Sequence, residues 1–84
     1  ADVLVGTNGG VDNIYAGAGD DIIFGNGGNE NIYAGDGNDQ VNGGDGNDFI
    51  SGEAGNDLLV GGDGGDIVDG GANNDTLFGW AGND

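Results

Sequence analysis

Acidic side chains recur every nine residues along this chain. With Asp48 as the sixth member of a nine-residue unit, the same place is held by Asp12, Asp21, Glu30, Asp39, Asp57, Asp66, Asp75 and Asp84. Asp2 joins the series if one extra residue is allowed near Gly6, before Thr7. Position three adds Asp36, Asp45 and Asp63. Position four is glycine in every unit except the one with Asn73. Carboxylates in register with glycine suit capture of a hard cation, since such ions take several oxygen ligands from side chains and backbone carbonyls together. Neighbouring acids such as Asp20 and Asp21 could in principle transfer protons. The chain has no His, however, and acids repeated at a fixed spacing are architecture, so it is read as a non-enzyme.

Charge sharpens that reading. The 84 residues contain 16 Asp plus Glu and no Lys, Arg or His, for a net charge of −16. No internal salt bridge can form, and self-repulsion should expand the chain unless cations from outside bind it. Nucleic acid is excluded as a partner because counterion release needs basic side chains. Membrane insertion is not expected, since no apolar run approaches spanning length, and there is no basic signal-peptide start. Cysteine is absent, so disulfides cannot offset the backbone entropy of 23 glycines. Metal is the one counter-charge left.

The elements that must position these acids are short. Each unit divides into a six-residue glycine-rich turn and a three-residue strand, whose middle residue is always aliphatic: Ile14, Ile23, Ile32, Val41, Ile50, Leu59, Val68, Leu77. Alternation along a strand sends that residue inward and its neighbours outward. Two units make a coil of 18 residues, and coils stack strand on strand, so the expected fold is an all-β, right-handed parallel β-roll with two short-stranded sheets. Helix is excluded because no 3.6-residue periodicity appears. The repeat covers residues 1–84 as a single unit, with no linker.

The turns then fall into two rows, one along each edge. One row carries Asp12, Glu30, Asp48, Asp66 and Asp84; the other carries Asp2, Asp21, Asp39, Asp57 and Asp75. Two charges ~5 Å apart repel by ~0.8 kcal/mol in water and ~3 kcal/mol at an effective dielectric of 20. A divalent cation between successive turns reverses the sign. Calcium fits the oxygens available better than magnesium, which demands a strict octahedron, or zinc and copper, which prefer the absent His and Cys. Carbonyls of Gly35, Gly37, Gly44, Gly46, Gly55, Gly62 and Gly64 are the expected backbone ligands. Two rows of five turns leave gaps for at most about eight ions.

The units resemble the GGxGxD-x-aliphatic-x nonapeptide of the repeats-in-toxin (RTX) family. GGDGNDFIS (43–51) and GGDGGDIVD (61–69) match it throughout, and AGDGNDQVN (34–42) departs only at Ala34. The resemblance implies a calcium-bound parallel β-roll in a bacterial protein exported by a type I system. It also implies that each ion lies between turns of adjacent coils. Departures occur at Glu30, at Thr7 and Asn8, and at Asn73, and the sites flanking them are expected to be weak or empty. The gaps between Asp39 and Asp57 and between Asp48 and Asp66 are expected to be filled. An EF-hand is excluded because its loop needs flanking helices.

One outer face is apolar where solvent would be expected. It carries Val3, Val5, Ile22, Phe24, Leu58, Val60 and Phe78 around Gln40, Asn42 and Thr76. Strand propensity alone would favour such residues, but contact with another domain or another copy is the functional reading. Trp80 stands in a turn position usually given to glycine and could cap a coil. Both ends of the sequence fall in mid-turn, which suggests a piece of a longer array or copies stacking into a fibre. The expected function is an extracellular structural module of a secreted bacterial protein, folding with calcium and self-associating as a fibre or adhesin stalk. The alternative is the calcium-triggered folding and secretion module of a larger exported toxin, protease or lipase. An ice-binding face would need a regular outward ladder of Thr or Asn, which Asn13, Asn31 and Thr76 are too irregular to supply.

Overall fold

A computed structural model of the chain describes residues 3–6 and 10–79; Asp2, Thr7, Asn8, Trp80 and Asp84 therefore lie outside the described residues. Among the described residues nine three-residue strands follow one another: β1 (Val3–Val5), β2 (Asn13–Tyr15), β3 (Ile22–Phe24), β4 (Asn31–Tyr33), β5 (Gln40–Asn42), β6 (Phe49–Ser51), β7 (Leu58–Val60), β8 (Ile67–Asp69) and β9 (Thr76–Phe78). Odd-numbered strands form one parallel sheet and even-numbered strands the other. Two sheets built from alternate strands are a β-solenoid, with one strand of each sheet per coil.

Register follows the repeat. Ile23 pairs with Val41, eighteen positions on, as do Ile32 with Ile50 and Leu59 with Leu77. Leu4 pairs instead with Ile23, nineteen positions on. That offset is the extra residue the sequence demands near Gly6. Gly6 itself behaves as a first turn residue, its N–H donating to the Phe24 carbonyl as that of Gly25 donates to Asn42.

The core is a single layer of side chains between the sheets. Ile23, Ile32, Ala34, Val41, Ile50 and Leu59 are buried, and Leu4, Ile14, Ala16 and Val68 pack against them half-covered. Leu77 stays half exposed because no described coil lies beyond β9 to cover it. At ~1.5–3 kcal/mol per buried aliphatic side chain, so thin a layer offsets little of the ordering entropy of the chain. Backbone ladders extend past the strands at both ends. The N–H of Phe49 donates to the Glu30 carbonyl and that of Gly43 to the Val60 carbonyl, each at 2.8 Å.

The turns need backbone conformations that a side chain resists. Gly44 and Gly46 have φ of +86° and +106°, and a Cβ on Gly46 would run into the Gly28 carbonyl of the coil before. Asn26, Glu53 and Asn73 take the same positive φ without being glycine. Asn26 finds partial compensation, its Nδ2 donating to the Gly6 carbonyl at 2.8 Å.

Candidate metal sites between stacked turns

Position six places its carboxylate inside the turn, not on the surface. Asp21, Glu30, Asp39, Asp48, Asp57 and Asp66 are all buried. One oxygen of each aspartate from Asp39 onward is spent on stacking. Asp39, Asp48, Asp57, Asp66 and Asp75 accept at Oδ1 from the N–H of the residue eighteen positions earlier, at 2.8–2.9 Å. The second oxygens of Asp39, Asp48 and Asp57, and both oxygens of Glu30, are buried with no donor. A buried carboxylate oxygen without a donor is costly unless a cation meets it.

Those oxygens point at a cradle that a methyl group would fill. A Cβ on Gly43 would stand 2.6 Å from Asp48 Oδ2 and 2.7 Å from the carbonyl oxygen of Gly61, in the next coil. On Gly52 it would stand 2.5 Å from Asp57 Oδ2 and 3.0 Å from the Gly70 carbonyl. Carboxylate and carbonyl thus converge from two adjacent coils on one point. Among the described residues no three acidic side chains gather. Any ligand set must therefore mix carboxylate with backbone carbonyl, which is the chemistry of calcium rather than of zinc. The residues present fit that ion.

The other anticipated ligands are distributed unevenly. Asp12 and Asp75 are half-buried at the ends of their rows, while Asp36, Asp45 and Asp63 are exposed at the turn tips. Asp45 lies close enough to Asp48 for its charge to raise that carboxyl's pKa. Shallow depressions separate successive tips, one lined by Asn26, Gly27, Gly44 and Asp45 and the next by Gly44, Asp45, Gly62 and Asp63 among others. Gly35, Gly37, Gly44, Gly46, Gly55, Gly62 and Gly64 all adopt positive φ. The carbonyls of Gly37, Gly44 and Gly46 press against the turns of the next coil, under Gly55, Gly62 and Gly64.

Two features escaped the sequence reading. The carbonyls of Gly43, Gly61 and Gly70, at position one, lie beside the buried carboxylates of Glu30, Asp48 and Asp57 and were not among the anticipated ligands. Position five carries a second side-chain ladder. Asn29, Asn38, Asn47 and Asn56 accept at Oδ1 from the N–H of Asn47, Asn56, Gly65 and Asn74, at 2.7–3.0 Å. The recurring Gly-Asn-Asp at 37–39, 46–48 and 55–57 is the signal that could have revealed it. Positions five and six thus tie each turn to the coil after it and the coil before.

Burial raises the pKa of these carboxylates. Desolvation pushes Glu30 up to about 7, and the adjacent charge of Asp48, a hydrogen bond shared with it, and the charge of Asp12 push the same way. With both acids ionised no oxygen of Glu30 has a donor; a proton kept on Glu30 lets it donate to the Asp48 carboxylate. Desolvation likewise raises Asp39 to about 6, against the lowering effect of the Asp21 N–H. Asp48 and Asp57 are raised mainly by the same cause. The roll is 13 Å in its shortest dimension, so even these solvent-free oxygens lie only one layer from water.

A family model described as the RTX calcium-binding nonapeptide repeat matches residues 6–41, 24–59, 33–68 and 60–84. No curated protein and no solved structure matches the chain. The matched stretches overlap to span residues 6–84, which take in β2 to β9 and their turns, and the chain belongs to the RTX calcium-binding nonapeptide repeat family.

Proposed function

We propose that this chain is a non-catalytic module of a secreted bacterial protein that folds when calcium reaches it and then serves as an extracellular structural element. One observation carries the reading: buried carboxylate oxygens at Glu30, Asp39, Asp48 and Asp57 have no donor, in a chain with no basic residue. Calcium, when bound, supplies the missing counter-charge. The chain's own part is to hold one carboxylate oxygen by the N–H of the coil before, keep position one free of a side chain, and present carbonyls from the coil after. Several sites of this kind, up to about eight, would be shared between neighbouring turns, so binding and coil stacking are one event. Extracellular calcium modules work at roughly 10⁻⁴–10⁻³ M, which matches the space outside a cell. Circular dichroism in calcium and in chelator tests the reading: strand signal should appear only with calcium, and its persistence in chelator at pH 7.5 would overturn it.

The outer face of the five-stranded sheet supports self-association. Val3, Val5, Ile22, Phe24, Leu58 and Phe78 are exposed there and Val60 is half-exposed. A shallow apolar trough runs over Gln40 and Asn42 between Ile22 and Phe24 on one side and Leu58 and Val60 on the other. A monodisperse monomer in calcium, by sedimentation or light scattering, would sink both the self-association and the fibre. Export as part of a larger toxin, protease or lipase draws on the same calcium-triggered folding, and RTX repeats are typical of secreted bacterial proteins. A catalytic domain encoded upstream in the parent gene would favour it.

A further inference from the structure

Glu30 is the one described acid at position six that is not aspartate, and the extra methylene changes what its carboxylate does. Asp39, Asp48, Asp57, Asp66 and Asp75 each give an oxygen to the N–H of the coil before. Glu30 gives neither: both its oxygens are buried without a donor, and the residue is only 1% exposed. A merely tolerated long acid would turn outward, because burying a carboxylate with two uncompensated oxygens is among the costliest placements available to it. Instead it is aimed inward. Its Oε1 lies 3.0 Å from the point a Cβ on Gly25 would occupy, and the Gly43 carbonyl oxygen lies 2.5 Å from the same point. The neighbouring Asp48 leaves Oδ2 without a donor, while its Oδ1 accepts from the Glu30 N–H at 2.9 Å.

We propose that Glu30 holds a calcium ion through both carboxylate oxygens, in the gap between turns 25–30 and 43–48, and that this gap is a stronger site than an aspartate would make it. The inference rests on the calcium reading above and reverses the expectation, drawn from sequence, that the sites beside Glu30 are weak. Its physical basis is the oxygen count: the aspartates from Asp39 to Asp75 spend one oxygen on the backbone, whereas Glu30 spends neither, and its Oε1 lies at the cradle with the Gly43 carbonyl. Calcium accepts a bidentate carboxylate readily, since its shell of six to eight oxygens at 2.3–2.6 Å is adaptable.

Calorimetric calcium titration, with the bound ions counted by equilibrium dialysis, separates the possibilities on the intact chain. Glu30→Gln keeps the shape and removes the charge, and should bind one ion fewer than the parent. Glu30→Asp restores the common residue of the repeat and should still fold, binding the ion at this gap on the order of tenfold more weakly while the others are unchanged. Glu53→Gln, at an exposed carboxylate, should alter neither number. If Glu30 is neutralised by a proton instead, Glu30→Gln will retain the full ion count, and the proposal fails. It fails equally if Glu30→Asp binds as tightly as the parent or more tightly. A parent chain that binds no calcium at all would refute the underlying calcium reading rather than the role of Glu30.

Discussion

Asp48→Asn should make the calcium-free chain more stable and the calcium-bound chain less so. Asp48 is flanked along its edge by Glu30 and Asp66, one strand spacing of ~4.8 Å to either side. Each unit charge at ~5 Å costs ~0.8 kcal/mol in water and ~3 kcal/mol at an effective dielectric of 20. Glu30, with its pKa pushed up to about 7, carries only part of its charge at neutral pH. Roughly one and a half neighbouring charges therefore remain, and removing Asp48's charge should relieve about 1–5 kcal/mol of repulsion. The substitution keeps the stacking bond, because an Asn Oδ1 can still accept from the Glu30 N–H, now at 2.9 Å from Asp48 Oδ1. Its Nδ2 would replace Oδ2 near the Gly61 carbonyl and turn an uncompensated acceptor into a donor. In chelator, trimethylamine N-oxide titration followed by circular dichroism should reach the folded state at a lower osmolyte concentration than the parent requires. In calcium, the urea midpoint and the number of bound ions should both fall, because Asp48 borders two gaps. A variant that gains nothing in chelator and keeps its ion count would refute the account of why these turns need a cation.

Acid should partly replace calcium. The folded-state pKa values of Glu30 and Asp39 are raised, to about 7 and about 6, so the folded chain keeps protons that the unfolded chain has lost. Stability without calcium is then greatest below the ordinary carboxylate range, ~4, and is lost as pH rises towards 7; strand signal in chelator should grow between pH 7.5 and pH 4.5, and a flat profile would contradict it. Gly46→Ala combines a φ of +106° with a Cβ driven into the Gly28 carbonyl, so its urea midpoint in calcium should drop by the equivalent of ~2–4 kcal/mol. Asn38→Ala removes the acceptor for the Asn56 N–H at an exposed edge, and a loss of only ~0.5–1.5 kcal/mol is expected by the same measurement. Phe24→Ser, on the apolar outer face, should leave the calcium-induced fold intact and reduce association seen by light scattering.

The strands were legible almost residue by residue, because a nine-residue repeat fixes both period and facing. Position eight is aliphatic in every unit while its neighbours vary, which marks it as the inward position, and the irregular offset between Leu4 and Ile23 announced itself as one residue too many. Glycine at positions two and four followed from the turns, and Asn73 adopts positive φ in glycine's place.

What the sequence determined alone was the repeat, the strands, the two rows of acids and their need for an external cation. Those depend on local spacing and on net charge, which any reading of the chain contains. Only the stacked structure decided how each carboxylate divides its oxygens, because that division depends on an N–H eighteen residues away. It brought the position-one carbonyls of Gly43, Gly61 and Gly70 up to the acids from the coil after. It also changed the meaning of Glu30, which in the sequence is a departure from the repeat. One methylene carries its carboxylate past the backbone donor that aspartate would meet, and leaves two buried oxygens without a donor, one of them at the cradle beside Gly25 and the Gly43 carbonyl.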